Sequence, residues 1–517
     1  MTIITKVIVK KYIEFCNKNN IRIQTYQIYG VLWCIRKERE LEIQNKCTGG
    51  ILADDMGMGK TIQMILTISL NFKKKTLIIL PPILIQQWYS EILNILGHSS
   101  FIYYKKNKDI HYLFKCNIVI TSYETFLRSP ELLNISWNRV ICDEAHRLRN
   151  PNTKIYKKIN MLNTNILWCI TGTPIHNKIG DITALIILFR HLTTTTKPKI
   201  QPEEYKSMIL RRMKINTNIL LPIKTETQEI IPWTNSNELK LAKDIHLSIY
   251  DNNKANHSFW KTKEIPDLVT MIRAKQLCIL PKLLEKPIQK LELDKPDDLF
   301  PNDLKYITNQ NSSCKLKAII TCIYKRVNNR QGKIIFCHFQ LEMTKITELL
   351  REAFGVDQNI WIGNWKEFEL LKKKGGGLGN KTPILILQIR AGCEGLNLQH
   401  DFSEIYFVSP NWNPTLEEQA IARCYRIGQQ NEVFVFRFYM DNLISTLENK
   451  IIETDIRKYF CIINRIPEDL QKLINEFLLD NTPPIITPIN YSMDQYILDI
   501  QNKKRKKITE FIDKITI

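Results

Sequence analysis

Four short, almost uninterrupted apolar runs mark the first part of the chain: TLIIL (Thr76 to Leu80), NIVIT (Asn117 to Thr121), RVICD (Arg139 to Asp143) and ILWCIT (Ile166 to Thr171). A second series follows with KIIFC (Lys333 to Cys337), PILILQ (Pro383 to Gln388), EIYFV (Glu404 to Val408) and VFVFRF (Val433 to Phe438). Strands that are apolar throughout, rather than alternating, are covered on both faces, and the stretches between them carry helical spacing. The pattern predicts an α/β chain with two lobes, each a parallel sheet flanked by helices. From about Thr193 to Asn328 a Thr run, Pro-containing connectors and mixed helical patterns predict a hinge region with short helical insertions. DNTPPIITPIN (Asp480 to Asn490) reads as a Pro-rich linker and KKRKK (Lys503 to Lys507) as a basic cluster near the tail. The expected boundaries are therefore 1–215 for the first lobe, 216–328 for linker and insertions, 329–455 for the second lobe and 456–517 for a helical extension, linker and basic tail.

Composition adds a partner class. The 517 residues hold 73 Lys+Arg against 52 Asp+Glu, a formal charge of +21, which favours a polyanion such as nucleic acid. The 13 cysteines are scattered singly, without CxxC pairs or Cys/His clusters at zinc spacing, so neither a zinc site nor a disulfide framework is expected and a reducing compartment fits. MTIITKVIVKKYIEF breaks its apolar run with Lys6, Lys10 and Lys11, and no membrane-length apolar stretch follows; the chain reads as neither secreted nor membrane-spanning.

Candidate chemistry begins at ILADDMGMGKT (Ile51 to Thr61). A phosphate loop wants Gly, four free positions, then Gly-Lys-Ser/Thr, so that backbone N–H groups and a helix N-terminus face the anion. Counted back from Gly59, Lys60 and Thr61, the first Gly falls at position 54, where this chain has Asp. Taken alone, the loop is either a nucleotide site or an ordinary turn after a strand. The acidic pair Asp143 and Glu144 of DEAH ends an apolar run that delivers it to the carboxyl edge of a sheet. There one acid can hold Mg²⁺ and a second can prepare an attacking water.

These segments, in this order, resemble the Swi/Snf-type ATPases of helicase superfamily 2 from about Arg22 to Ile451. RIQTYQIYGVLW resembles the family's adenine-recognising segment, with Gln27 expected to read the base. GGILADDMGMGKTIQ resembles motif I, which carries acidic residues before MGxGKT, and a physical account is that these Asp side chains accept hydrogen bonds from loop N–H groups while Gly57 and Gly59 leave room for phosphates. LIILPPILIQQWYSEI is similar to motif Ia and VITSYETF to the strand and loop touching the DNA backbone, implying Thr121 and Ser122 as DNA contacts. WNRVICDEAHRLRNPNTK resembles motif II and ITGTPIHN motif III, whose Thr171, Gly172 and Thr173 would couple the ATP state to the nucleic-acid groove. ILRRMK and LPIK resemble the run leading out of the first lobe.

In the second lobe GKIIFCHFQ resembles motif IV, QIRAGCEGLNLQ motif V, and NWNPTLEEQAIARCYRIGQQNEVFVFRF motif VI. Asn397 and Trp412 are the DNA contacts this implies. The pattern QAxxRxxRxGQ puts Arg423 and Arg426 on one helical face, able to neutralise charge on the γ-phosphate once the lobes close. The resemblance implies two RecA-like lobes, ATP and Mg²⁺ as cofactors, Lys60 on the β/γ-phosphates, Thr61 and Asp143 on the metal, Glu144 on the water, and Gln419 at the nucleotide. It implies a duplex-DNA translocase, since RxGQ resembles DNA translocases where RNA-unwinding relatives carry RxGRxGR; the sequence offers no extra domain to act as a wedge, so translocation or remodelling without efficient strand separation is expected. An RNA-directed helicase, a non-catalytic DNA-binding scaffold and a transcript-release ATPase partnering an RNA polymerase are the rival readings. The branch resembled includes ring-finger repair proteins, but this chain has no cysteine spacing for such a module. The expected place of action is the nucleus or, for a compact member from a large DNA virus, the host nucleus or a cytoplasmic replication site. Cys393 and Glu394 depart from motif V, and KKKGGGLGNK reads as a surface loop. IPEDLQKLINEFL reads as a helix packing on the second lobe.

Overall fold

The computed structural model describes residues 3–18, 24–39, 48–97, 100–105, 107–175, 180–189, 202–217, 219, 221–250, 266–286, 306–355, 360–373, 381–392, 396–443 and 492–515. Asn177, Cys393, Glu394, the glycines of KKKGGGLGNK, IPEDLQKLINEFL and the Pro-rich stretch lie outside them.

Among the described residues thirteen strands form two sheets. The first holds β1 (Thr48–Leu52), β2 (Thr76–Leu80), β3 (Phe101–Ile102), β4 (Ile118–Ser122), β5 (Trp137–Asp143), β6 (Thr164–Ile170) and β7 (Ile209–Leu210) in the order β3-β4-β2-β5-β6-β1-β7. The second holds β8 (Lys224–Ile231), β9 (Lys333–Cys337), β10 (Ile360–Gly363), β11 (Thr382–Gln388), β12 (Glu404–Phe407) and β13 (Val433–Met440) in the order β10-β11-β9-β12-β13-β8. All pairings in both sheets are parallel. The predicted runs are the central strands, and their apolar faces explain why. In β2, Leu77 and Ile79 enter one core while Ile78 and Leu80 enter the core on the opposite face. In β9, Ile335 and Cys337 face one core, Ile334 and Phe336 the other. Such double burial stabilises each side chain by about 1.5–3 kcal/mol and leaves no polar face to expose.

Residues 216–328 differ from the expectation. β8 joins the second sheet as an edge strand beside β13, and the helices Ser236–Tyr250, Pro266–Ile279 and Cys314–Lys325 share that lobe's core. The second lobe thus opens at Lys224, and the crossing between lobes is confined to the stretch after β7.

The basic cluster is also not a tail. Lys503 to Lys507 sit inside the helix Met493–Ile515. Its Asp494 carboxylate is fully buried against Lys315 and accepts from Ser409 Oγ (2.9 Å) and the Met440 N–H (3.0 Å). Further along, Gln501 Nε2 donates to Glu417 Oε1 (2.7 Å) and Lys504 Nζ to the Trp412 carbonyl (3.1 Å). Ile508 then packs against the first lobe's core, so one helix touches both lobes.

Candidate functional site

In the first sheet β5, β6, β1 and β7 are neighbours, so the segments leaving their carboxyl ends converge: the acidic pair after β5, Thr171 to Thr173 after β6, the phosphate loop after β1 and the two arginines after β7. Ligands of open α/β sheets collect along this edge. The loop closes on the helix Lys60–Leu70, with Gly59 in the left-handed region at its N-cap (φ 73°) and Gly57 also left-handed (φ 78°). A Cβ on Gly57 would lie 2.8 Å from Arg426 Cβ, and one on Gly59 2.4 Å from Gln27 Nε2. Only glycine leaves that cradle open.

Lys60 folds back, its ammonium donating to the Asp54 (2.7 Å) and Asp55 (3.0 Å) carbonyls. Burial lowers its pKa, against the pull of Glu144 and Asp54. Thr61 follows it, half-buried in the helix's first turn. The carboxylates of Asp54 and Asp55 do not cap the phosphate loop's own N–H groups, as the sequence suggested. Asp54 pairs with Arg212 and accepts from Gln63 Nε2 (3.1 Å); Asp55 pairs with Arg211 (3.1 Å) and accepts the Lys214 N–H (3.1 Å). The negative charge in front of the loop therefore binds the chain that leaves β7, and the loop's amides stay free of those side chains.

Gln27 lies buried behind the loop, donating to the Met58 carbonyl (3.0 Å) beside Tyr26, whose hydroxyl donates there too (2.9 Å). Its helix, Thr25–Glu38, is pinned by Glu38, which accepts from Arg139 Nε (2.7 Å) and Trp168 Nε1 (2.8 Å) in a fully buried cluster. Asp143 accepts from Trp88 Nε1 (2.8 Å) and the Glu144 N–H (2.9 Å). Burial and then the neighbouring Glu144 charge raise its pKa. Glu144, at φ 51°, goes the other way: burial would raise it, but His146 (3.2 Å), Arg423 and Lys60 outweigh that and hold the carboxylate ionised. One acid buried and hydrogen-bonded beside another that stays charged suits a division between metal holding and water orientation.

The second lobe reaches across. Arg423 Nη2 stands 3.9 Å from Glu144 Oε1, and Gln419 Nε2 donates to Thr173 Oγ1 (3.3 Å). Arg426, whose Nη1 donates to Asn397 (2.5 Å), sits against Gly57, and burial, then Arg423, pushes its guanidinium down to about 10. The Nε atoms of Arg423 and Arg426 are buried with no partner among the described residues. Two desolvated guanidiniums with orphaned donors, facing an open glycine cradle and a lysine, fit an anionic phosphate chain. A carboxylate at Asp143 and the hydroxyl of Thr61 are the oxygen donors Mg²⁺ takes. Thr171 Oγ1 accepts the Thr173 N–H (3.1 Å), and the Gly172 carbonyl accepts from Arg211 (3.3 Å), so this turn touches both the loop and Gln419.

The expected DNA contacts fare differently. Thr121 and Ser122 are wholly buried; Thr121 Oγ1 donates to the Tyr103 carbonyl (2.8 Å) and Ser122 Oγ caps the next helix at the Thr125 N–H (3.0 Å). Both hydroxyls are committed inside the strand end, so neither side chain meets a surface ligand. Asn397 is exposed but turned to Arg426, and Trp412, half-buried against Tyr496, lines a cleft of about 1310 Å³ between the lobes. That cleft also carries Arg147, Arg149, Lys275 and Arg390. Sequence reasoning missed Trp88, Arg211, Arg212 and Lys214 as parts of the site, although each stands in a segment it had marked.

A phosphate loop and acidic pair on one lobe, met by arginines from a second, suit a two-lobed nucleotide-hydrolysing enzyme. The chain carries an SNF2-related domain: the family model of that description matches residues 26–278. It is 25% identical over 493 residues to the "Probable global transactivator" of Orgyia pseudotsugata multicapsid polyhedrosis virus, covering 84% of this chain and 94% of that one. It is 27% identical over 473 residues to chromodomain-helicase-DNA-binding protein 8 of Danio rerio, covering 82% of this chain but 18% of that much longer protein. Among solved structures it is similar to the Sulfolobus solfataricus SWI2/SNF2 ATPase core in complex with dsDNA, with a TM-score of 0.36 and 22% identity over 96% of this chain and 97% of that one. Among the described residues no helix is long and apolar enough to cross a membrane, and the described cysteines are free thiols.

Proposed function

We propose that the protein is an ATP- and Mg²⁺-dependent translocase on double-stranded DNA that remodels what is bound there without efficient unwinding. The observation that carries this is the reach of Gln419 and Arg423 from the second lobe to Thr173 and Glu144 of the first. Hydrolysis in such a site changes how the lobes sit together, and a cleft between them converts that change into movement along a polymer. Lys60 holds the β/γ-phosphates, Glu144 orients the attacking water, Arg423 and Arg426 neutralise charge on the transferred phosphoryl group, and Gln27 reads the base. Thr61 and Asp143 would hold Mg²⁺, which supplies further charge neutralisation. The +21 charge and the basic cleft residues support a polyanionic track, and the similarity to a chromodomain-helicase-DNA-binding protein supports DNA rather than RNA. The relatives' names suit a role in transcription in the nucleus or a viral replication site, with RNA polymerase among the possible targeting partners.

The test is steady-state ATP hydrolysis by the purified protein with duplex DNA, single-stranded DNA, RNA or nothing, beside Glu144→Gln. Duplex DNA is expected to stimulate most, the stimulation to vanish in the variant and to fall steeply with salt. Stimulation by RNA exceeding that by duplex DNA overturns the reading.

A further inference from the structure

Lys214 lies four residues beyond β7, where the chain leaves the first lobe, and nothing above assigns it a role. Its main-chain N–H is fixed by Asp55 of the phosphate loop. Its ammonium crosses to the second lobe and donates to the Tyr425 carbonyl at 2.7 Å, with the Tyr425 ring 5.0 Å away beneath it. Tyr425 stands between Arg423 and Arg426, just past the helix Pro414–Ile421, where the chain bends out of helical pairing. One side chain therefore joins the loop that takes the phosphates to the backbone that aims both arginines. The same ammonium lies 3.7 Å from where a Gly57 Cβ would stand. Lys60, Lys214 and Arg426 thus crowd one loop.

We propose that Lys214 is a positioning residue for ATP hydrolysis, an interlobe strap that sets Arg423 and Arg426 against the phosphate loop through the Tyr425 carbonyl. This rests on the motor reading above and adds to it the element that registers lobe closure at the arginines. A simple structural role fits less well, because a lysine held only for packing has no need to bring its charge beside Lys60 and Arg426. Burial, then the pull of Asp55 against repulsion from Lys60 and Arg426, leaves its pKa down at about 8, a cost that a strap across an anion site offsets once phosphates enter. The Lys224 ammonium also lies over the Tyr425 ring, 5.5 Å from its centre.

The experiment compares wild type, Lys214→Met, which keeps the stem, and Lys214→Arg in DNA-stimulated ATP hydrolysis, with ATP affinity measured separately by calorimetry and folding by thermal melting. A misplaced arginine pair should lower kcat by about 10²-fold while KM and ATP affinity move less than about threefold, and Lys214→Arg should recover part of kcat. Undiminished kcat in Lys214→Met overturns the inference, as does a loss confined to ATP affinity, which would make Lys214 a plain phosphate ligand. Should Lys214→Met melt before assay temperature, Lys214→Gln with wild-type kcat would equally overturn it. A wild type that hydrolyses no ATP with any nucleic acid fails the motor reading itself, whereas an active wild type beside an equally active variant fails only the strap.

Discussion

Arg423 and Glu144, 279 positions apart in sequence, stand 3.9 Å apart across the cleft, the arginine from the second lobe and the acid from the first. An ion pair at that distance, partly exposed, adds little to stability. Its use is chemical. In the proposed reaction Glu144 orients the water, so a guanidinium that meets this acid also meets the group that water attacks, and Arg423→Ala should lower DNA-stimulated kcat by about 10³–10⁵-fold with the fold intact. Arg423→Lys should recover little, because an ammonium cannot reproduce the planar fork. Steady-state hydrolysis measures both. A residual rate within tenfold of wild type would remove Arg423 from the reaction.

Asp54 gives a prediction that separates architecture from catalysis. Its carboxylate is fully buried and pairs with Arg212, which also lies over the rings of Tyr26 (5.3 Å) and Tyr29 (5.9 Å). Asp54→Ala leaves that guanidinium without its counter-charge and should cost about 3–5 kcal/mol, toward the lower end because Arg212 keeps some access to water. Urea denaturation reads the loss directly. An unchanged midpoint would contradict a buried Asp54–Arg212 pair.

The central strands were legible because burial on both faces leaves an unbroken apolar run, as in TLIIL and KIIFC. Four of the five strands that escaped notice lack that signal for identifiable reasons; the fifth, β10, is a four-residue apolar edge strand, IWIG. β1 reads TGGIL, with two glycines where side chains would speak; β3 and β7 are two residues long; β8, KTETQEII, is a polar edge strand whose only deep neighbour is β13. The phosphate loop, the acidic pair and the arginines were legible as spaced motifs. Their partners were not: nothing local in QQWYSEI says that Trp88 donates to Asp143, nor in ILRRMK that Arg211 and Arg212 answer Asp55 and Asp54. Thr121 and Ser122, which the family resemblance implied as DNA contacts, are roofed by Tyr103 and the helix Tyr123–Leu127, a cover that nothing in VITSYETF announces. Long-range pairing is what single-sequence patterns leave out.

His246 predicts how the second lobe responds to acid. It is buried in the helix Ser236–Tyr250, its Nδ1 2.6 Å from the Ala242 carbonyl, with Asp494 near enough to favour the proton slightly. Burial, opposed by that carbonyl, pushes its pKa down to about 4. The folded state therefore binds the proton less readily than the unfolded chain, whose imidazole titrates near 6.5. Stability from this group is complete above about pH 6.5 and is lost as pH falls toward 4, about 3 kcal/mol in all. Glu342, pushed up to about 7 by burial, has the opposite sign, contributing below about pH 4.5 and losing that contribution as pH rises through 7. Urea midpoints from pH 4 to 7 for wild type and His246→Leu isolate the histidine. Their difference should shrink steadily with acidification, and a constant difference would contradict the assignment.

Asp494 and Lys315 decide whether the helix Met493–Ile515 is part of the motor. Both side chains are fully buried, and the same carboxylate holds Ser409 Oγ and the Met440 N–H, so one group anchors the helix to two strand ends of the second lobe. Asp494→Ala leaves a buried ammonium and two buried donors without acceptors and should cost about 3–5 kcal/mol, whereas the double replacement Lys315→Met with Asp494→Leu removes the unpaired ammonium but not the orphaned Ser409 hydroxyl and Met440 N–H, and should recover only part of that loss. The helix carries Ile508 against the first lobe's core, so its release should be felt there as well. Hydrogen exchange makes the two outcomes distinct. If the helix is an independent appendage, Asp494→Ala speeds exchange only within 493–515. If it braces both lobes, exchange also quickens in the helix Pro202–Met208, which it touches, and DNA-stimulated hydrolysis falls in the single variant and returns in part in the double.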